Sequence, residues 1–261
     1  MLGIVESDSK LVIVDARHNG PPGSGNGGWT AGLIAGRLGD GRLEDGQLGN
    51  QRLEDGRLGN QRLGAGRLGE APAEVTLRKP PPLDTPLAVA DTGYGIQVTG
   101  PAGEVIATAR RRETDIAAVP RVPADEARAA AQRYPGHGKH HFPTCFVCGP
   151  QHEDGLRIFP GRVGEGRTAA MFDTPPEIDV PMVWAALDCP GGWTVIEGDR
   201  PRVLGRIAAV VDELPKPGDE CVVVGQVISR EGRKALVRTS LYGPDGDLLA
   251  RAEATWIKLP V

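Results

Sequence analysis

The sequence predicts an α+β fold in which an antiparallel sheet wraps around two central helices. Three observations lead there. The apolar runs are mostly of strand length and are bounded by Gly/Pro-rich turns. Only two strongly apolar helical stretches occur, each entered from a loop rich in turn residues. The order of short strand, helix, then several strands occurs twice. A doubly wound βαβα fold needs more helices than this. The length of 261 residues allows one large domain or two modest ones.

In the first half, Leu11-Val-Ile-Val14 reads as a short buried strand and Asn19 to Gly28 as a Gly/Pro loop. Trp29 to Arg37 reads as a helix of small and apolar residues. Glu74 to Leu77 and Leu87 to Val89 read as strands on either side of the turn-rich KPPPLDTP. Tyr94 to Thr99 and Val105 to Arg110 form a hairpin across GPAG. A charged, Ala-rich segment follows from Arg111 to Arg133, helical over Ala127–Gln132. In the second half, Leu156–Phe159 and Thr168–Phe172 are strand-like. Pro181 opens a helix, MVWAALDC, as proline does at a first helical turn. Val203–Val211, Cys221–Ser229 and Ala235–Tyr242 are strong strands, and the chain turns at PDGD into Leu248–Lys258. The organisation predicted is a first half over 1–110, a linker over 111–136 and a second half over 137–261.

Inside the first half, residues 36–70 form a low-complexity insertion. Leucine recurs every five residues from Leu38 to Leu68. A period of five fits neither a helix nor a strand. A pentapeptide-repeat coil is one reading, but Gln51 and Gln61 do not fit its small inward site, and seven repeats make a short solenoid. An expanded insertion of balanced charge is the other reading, and the expected one.

Composition excludes several classes. The net charge of −4 argues against a globally basic nucleic-acid binder. No apolar run approaches the ~20 residues of a membrane span. The opening MLGIVESDSK lacks the apolar core of a secretory signal. Four cysteines in this length do not make a disulfide scaffold, so a cytoplasmic protein with reduced thiols is expected. Formation of a homo-oligomer is left open.

GNGGWTAGLIAG and VTLRKPPPLDTPLAV resemble the first half of double-hotdog proteins of the acyl-CoA thioesterase type. PMVWAALDCPGGW and the strands down to DGDLLARAEATW resemble their second half. The segment CFVCGP is similar to the actinobacterial thioesterase-like branch. The resemblance implies a long curved sheet around a helix in each half, with acyl-CoA sites between the halves. It also implies a catalytic Asp at the position of Asp188, helped by a hydroxyl and a Gln from neighbouring strands. Counting from the turn at Asp245-Gly246 places the hydroxyl at Ser229, while Ala254 stands where the Gln would be, flanked by Glu253 and Thr255.

The residues themselves point the same way. Asp188 follows the apolar stretch Val183-Trp-Ala-Ala-Leu187, where an acid is costly without a partner or a task. As a general base it would take a proton from water attacking a thioester. A structural Asp near Pro190, which interrupts the helix ladder, is the competing reading. Asn26, Gly27 and Gly28 precede the first helix, whose free amides favour negative charge, so they are candidate substrate-binding residues. Trp184 and Trp193 are candidate pocket walls. They are weighed against a core role, which is also expected of Trp29 and Trp256. The match Gly23-x-Gly25-x-x-Gly28 to a dinucleotide fingerprint lacks the βαβ continuation it requires. Arg110-Arg111-Arg112 reads as a solvated charge run, with phosphate contact as the alternative.

His141-x3-Cys145-x2-Cys148-x3-His152 is the competing constellation. With His140 or His137 as substitutes, it has ligand types for a tetrahedral zinc. Only one CxxC is present, so packed cysteines are expected and no metal and no cofactor is assigned. Cys189 reads as a small buried apolar residue. The predicted function is an acyl-CoA thioesterase-like hydrolase, with acyl-CoA or another acyl thioester as its partner. The alternatives are a catalytically silent acyl or acyl-CoA binder, and a zinc-stabilised interaction protein.

Overall fold

The computed structural model describes residues 11–38 and 71–260. The repeat of the insertion therefore lies, from residue 39 on, outside the described residues. The first-half strands are β1 (Leu11–Val12), β2 (Ala73–Leu77), β3 (Leu87–Asp91), β4 (Ile96–Thr99) and β5 (Val105–Arg111). The second-half strands are β6 (Gly161–Arg162), β7 (Arg167–Asp173), β8 (Arg202–Val211), β9 (Glu220–Glu231), β10 (Lys234–Tyr242) and β11 (Leu248–Lys258). They form one antiparallel sheet in the order β1-β3-β4-β5-β2-β8-β11-β10-β9-β7-β6. The halves meet in the middle, where β2 pairs with β8 and Val75 faces Ile207. The α-helices among the described residues are α1 (Gly27–Ala35), α2 (Ala124–Ala131) and α3 (Val180–Trp193).

Helices α1 and α3 are apolar on nearly all sides, the pattern of helices enclosed by a core. Both are capped as their sequences allow. The Asn26 side-chain oxygen accepts from the Trp29 amide at 2.9 Å, and Asp179 Oδ1 accepts from the Met182 amide at 2.9 Å. The helices touch through glycines. A Cβ on Gly28 would sit 2.6 Å from Asp188 Cβ, and one on Gly32 would sit 2.6 Å from Pro181 Cα. Two helices thus approach at a distance that only hydrogen side chains permit. Helix α3 runs through Pro190, whose carbonyl accepts from Thr168 Oγ1 on β7 at 2.6 Å.

Two predicted segments differ. Leu156–Phe159 is not a strand. Arg157 has a positive φ of 52°, which breaks the pleat. Its neighbours instead tie to the cysteine loop, with the amides of Leu156 and Ile158 donating to the carbonyls of Phe146 and Val147. The segment 111–136 is packed where it crosses the outer face of the sheet. The Val119 amide donates to Ser240 Oγ at 2.9 Å, and Tyr242 donates to the Val119 carbonyl. Val119, Val122 and Ala127 bury with Val222, Val224 and Tyr242 as a second apolar cluster. Among the described residues, no helix is long and apolar enough to cross a membrane.

Candidate functional site

A cavity of about 540 Å³ opens where the start of α1, the body of α3, β8 and β11 converge. Asp188 lies in its wall and is 2% exposed. Its Oδ2 accepts from the Gly28 amide at 2.9 Å and from Asn26 Nδ2 at 3.4 Å. A side chain from the second half is thereby held by the helix start of the first, whose amides carry partial positive charge. The close approach at Gly28 makes this contact possible. Oδ1 is buried and has no hydrogen-bond partner among the described residues. Burial pushes the Asp188 pKa up to about 7, against the lowering effect of the Gly28 amide and the Asn26 side chain. The indole Nε1 of Trp256, also a cavity residue, is a second buried polar atom with no partner among the described residues.

Of the residues expected at the site, Asp188, Asn26, Gly27, Gly28 and Trp193 are brought together. Trp184 is buried against Gly32, beneath the helix contact and outside the cavity wall. Ser229 is not at the site. It is exposed on β9 opposite Leu236 and takes no part in the cavity wall. Asp188 bonds across to α1 and not to the ladder near Pro190. Arg110 and Arg112 are engaged with Glu74 and Glu253, at 3.0 and 2.8 Å. Glu253 is held in its charged form by Arg112 and Arg238, which offset its burial.

Sequence reasoning missed the third cysteine of the site. Cys189 Sγ lies 4.0 Å from Cys145 Sγ. Together with Cys148, the three buried sulfurs lie within 4.8 Å of one another in the same cavity wall. His140 Nε2 lies 3.3 Å from Cys148 Sγ, and Trp193 Nε1 donates to that sulfur at 3.5 Å. The Cys145 thiol is held well below its usual range by the Cys148 and Cys189 thiols and by the Val147 and Cys148 amides. Burial raises Cys148, while the Cys145 and Cys148 contacts raise Cys189. All four cysteines of the chain are free thiols.

No protein family and no curated protein matches this sequence. Solved structures do match its fold. A protein of unknown function with a hot dog fold from Alicyclobacillus acidocaldarius is 16% identical. The match covers 98% of this chain and 96% of that one, with a TM-score of 0.56. A candidate thioesterase from Novosphingobium aromaticivorans is 15% identical, covering 98% of both chains, with a TM-score of 0.57. The tesB protein of Mycobacterium avium subspecies paratuberculosis is 10% identical, covering 98% of this chain and 95% of that one, with a TM-score of 0.56. At these identities the likeness establishes the fold, which is the double hotdog the sequence predicts.

Proposed function

We propose that the chain is an acyl-CoA thioesterase-like hydrolase in which Asp188 activates water. The observation that carries this reading is the asymmetric carboxylate. One oxygen is anchored by Gly28 and Asn26, and the other is unpartnered in a buried cavity wall. A carboxylate anchored in this way presents Oδ1 to a water at a fixed angle. The water oxygen attacks the thioester carbonyl carbon as its proton passes to Oδ1. The C–S bond then breaks, the thiol sulfur takes a proton, and the acid leaves. The Gly27 amide at the start of α1, in the cavity wall, is the donor for the developing oxyanion. Leu204, Ile196 and Leu259 give the cavity an apolar lining for an acyl chain. Arg78, Lys79 and Arg202, also lining residues, supply the positive charge that phosphates require.

The test is a panel of acyl-CoA thioesters, with free-thiol release and binding followed together. Wild type releases thiol, and Asp188→Asn loses ~10²–10⁴ in rate while still binding, because an amide cannot accept the water proton. Unchanged turnover in the Asn variant would remove Asp188 from the chemistry. A second reading, a silent acyl-thioester binder, is favoured by Ala254 in place of a glutamine and by the exposed Ser229. Tight binding with no thiol release would establish it.

A further inference from the structure

The same cavity wall holds a second set of chemical groups that water activation by Asp188 does not use. Cys145 and Cys148 come from one loop and Cys189 from helix α3, and their sulfurs lie within 4.8 Å of one another. Among the described residues this is the one such group of three or more metal-ligand side chains. Three thiolates on a tetrahedral zinc, at ~2.3 Å each, stand ~3.8 Å apart. The 4.0 Å between Cys145 and Cys189 is already close to that. The remaining pairs need at most about 1 Å of side-chain adjustment to reach it.

The surroundings are those of metal-bound thiolates. The CxxC loop turns tightly about its first cysteine, whose amide donates to the Phe142 carbonyl at 2.9 Å. The Gly149 amide closes that turn on the Cys145 carbonyl at 2.8 Å. The Asn26 side chain donates to Cys145 Sγ at 3.8 Å, and the Trp193 indole donates to Cys148 Sγ at 3.5 Å. His140 Nδ1 accepts from the Phe142 amide at 2.9 Å, which leaves the ring proton on Nε2, facing Cys148 Sγ. His140 is therefore a donor to a sulfur and a positioning residue, not a ligand. Tyr134 fixes the loop from behind by donating to the Cys148 carbonyl at 3.1 Å. Such an outer ring of donors orients and stabilises thiolate ligands.

We infer that Cys145, Cys148 and Cys189 form a trithiolate zinc site whose fourth corner opens to the cavity. The zinc ion enters hydrated. The three sulfurs displace all but one of its waters as the coordination number falls to four, the three thiol protons go to solvent, and one water remains at the open corner. A soft donor such as a thiol is the ligand class that would replace that water. The inference is independent of the thioesterase reading, because metal content is measured without any substrate.

The experiment is elemental analysis of the full chain purified without chelator, followed by cobalt titration of the metal-stripped protein. One zinc per chain is expected, together with the intense near-ultraviolet absorption of cobalt–thiolate bonds. Cys148→Ser and Cys189→Ser should each lose stoichiometric zinc. Cys221→Ser, which removes a buried cysteine outside the cluster, should keep it. His140→Gln should weaken zinc by ~10–100-fold without abolishing it. Stripped wild type keeps the measurement meaningful if a serine variant fails to fold. Wild-type protein that is metal-free and gives no cobalt–thiolate absorption would overturn the site, as would a disulfide within the trio. Zinc retained in both serine variants would also overturn it, and zinc abolished in His140→Gln would overturn the open corner.

Discussion

Asp188 and His18 are both titratable groups packed against α1, and their surroundings differ. Asp188 receives an amide and a side-chain donor on one oxygen. His18 is stacked flat on Trp29 at 3.6 Å with Phe146 edge-on, and its Nδ1 is buried with no partner among the described residues. Burial brings the His18 pKa down to about 4, with Asp15 and Asp154 acting against this and Arg17 and His152 with it. The unfolded chain therefore takes up this proton before the folded one does. The His18 contribution is fully present above about pH 6.5 and is lost as pH falls toward about 4. His18→Phe keeps the stack and removes the titration. Its melting temperature should fall less than that of wild type between pH 6.5 and 4. Parallel curves for the two proteins would show that His18 contributes nothing to the acid limb.

The acid in the apolar helix was legible because burying a carboxylate without partners is expensive, so its presence announces a partner or a task. The partners themselves were not. Nothing local in the sequence brings Gly28 to Asp188, or Cys189 to Cys145 and Cys148. Counting only the CxxC pair gave too few thiols for a metal, and the third thiol comes from α3. A cysteine following an acid in a buried helix, in a chain that also carries a CxxC, was the available signal.

At the scale of elements, the contact of α1 with α3 fixes the site. Gly28 supplies the amide that holds Asp188, and its missing side chain lets the helices close. Gly28→Ala should therefore destabilise by about 1–3 kcal/mol through overpacking, because its Cβ would fall 2.6 Å from both Asp188 Cβ and the Trp184 carbonyl oxygen. Gly36→Ala, at the helix end with only ordinary contacts, is the control. Equal denaturant midpoints for the two variants would contradict this account. Strand positions were well marked by β-branched runs, but register was less so. The pairing of β9 with β10 shifts between Leu236 and Val237. Counting back to Ser229 crosses that bulge, which changes the face a residue presents. Ser229 accordingly lies exposed and away from the cavity. Leu156–Phe159 was misjudged for a backbone reason, since an arginine with positive φ leaves no trace in an apolar pattern.

At the scale of the whole molecule, the duplicated order of elements was readable, and the sheet realises it. Each half contributes a helix start, a helix body or strands to a single cavity, so neither half carries the site alone. The pairing of β2 with β8 that joins them has a kinetic consequence. Hairpins such as β9–β10 close locally, whereas Val75 reaches Ile207 only after most of the intervening chain is organised. Closing so long a loop is entropically costly, and contacts of that kind form late. Ile207 is fully buried, so Ile207→Val should cost ~0.5–1.5 kcal/mol. That loss should appear as faster unfolding, with refolding nearly unchanged. Val237→Ala, inside the β9–β10 hairpin, should instead slow refolding. Stopped-flow measurements that found refolding slowed by Ile207→Val in proportion to its destabilisation would place the middle of the sheet among the first parts to assemble.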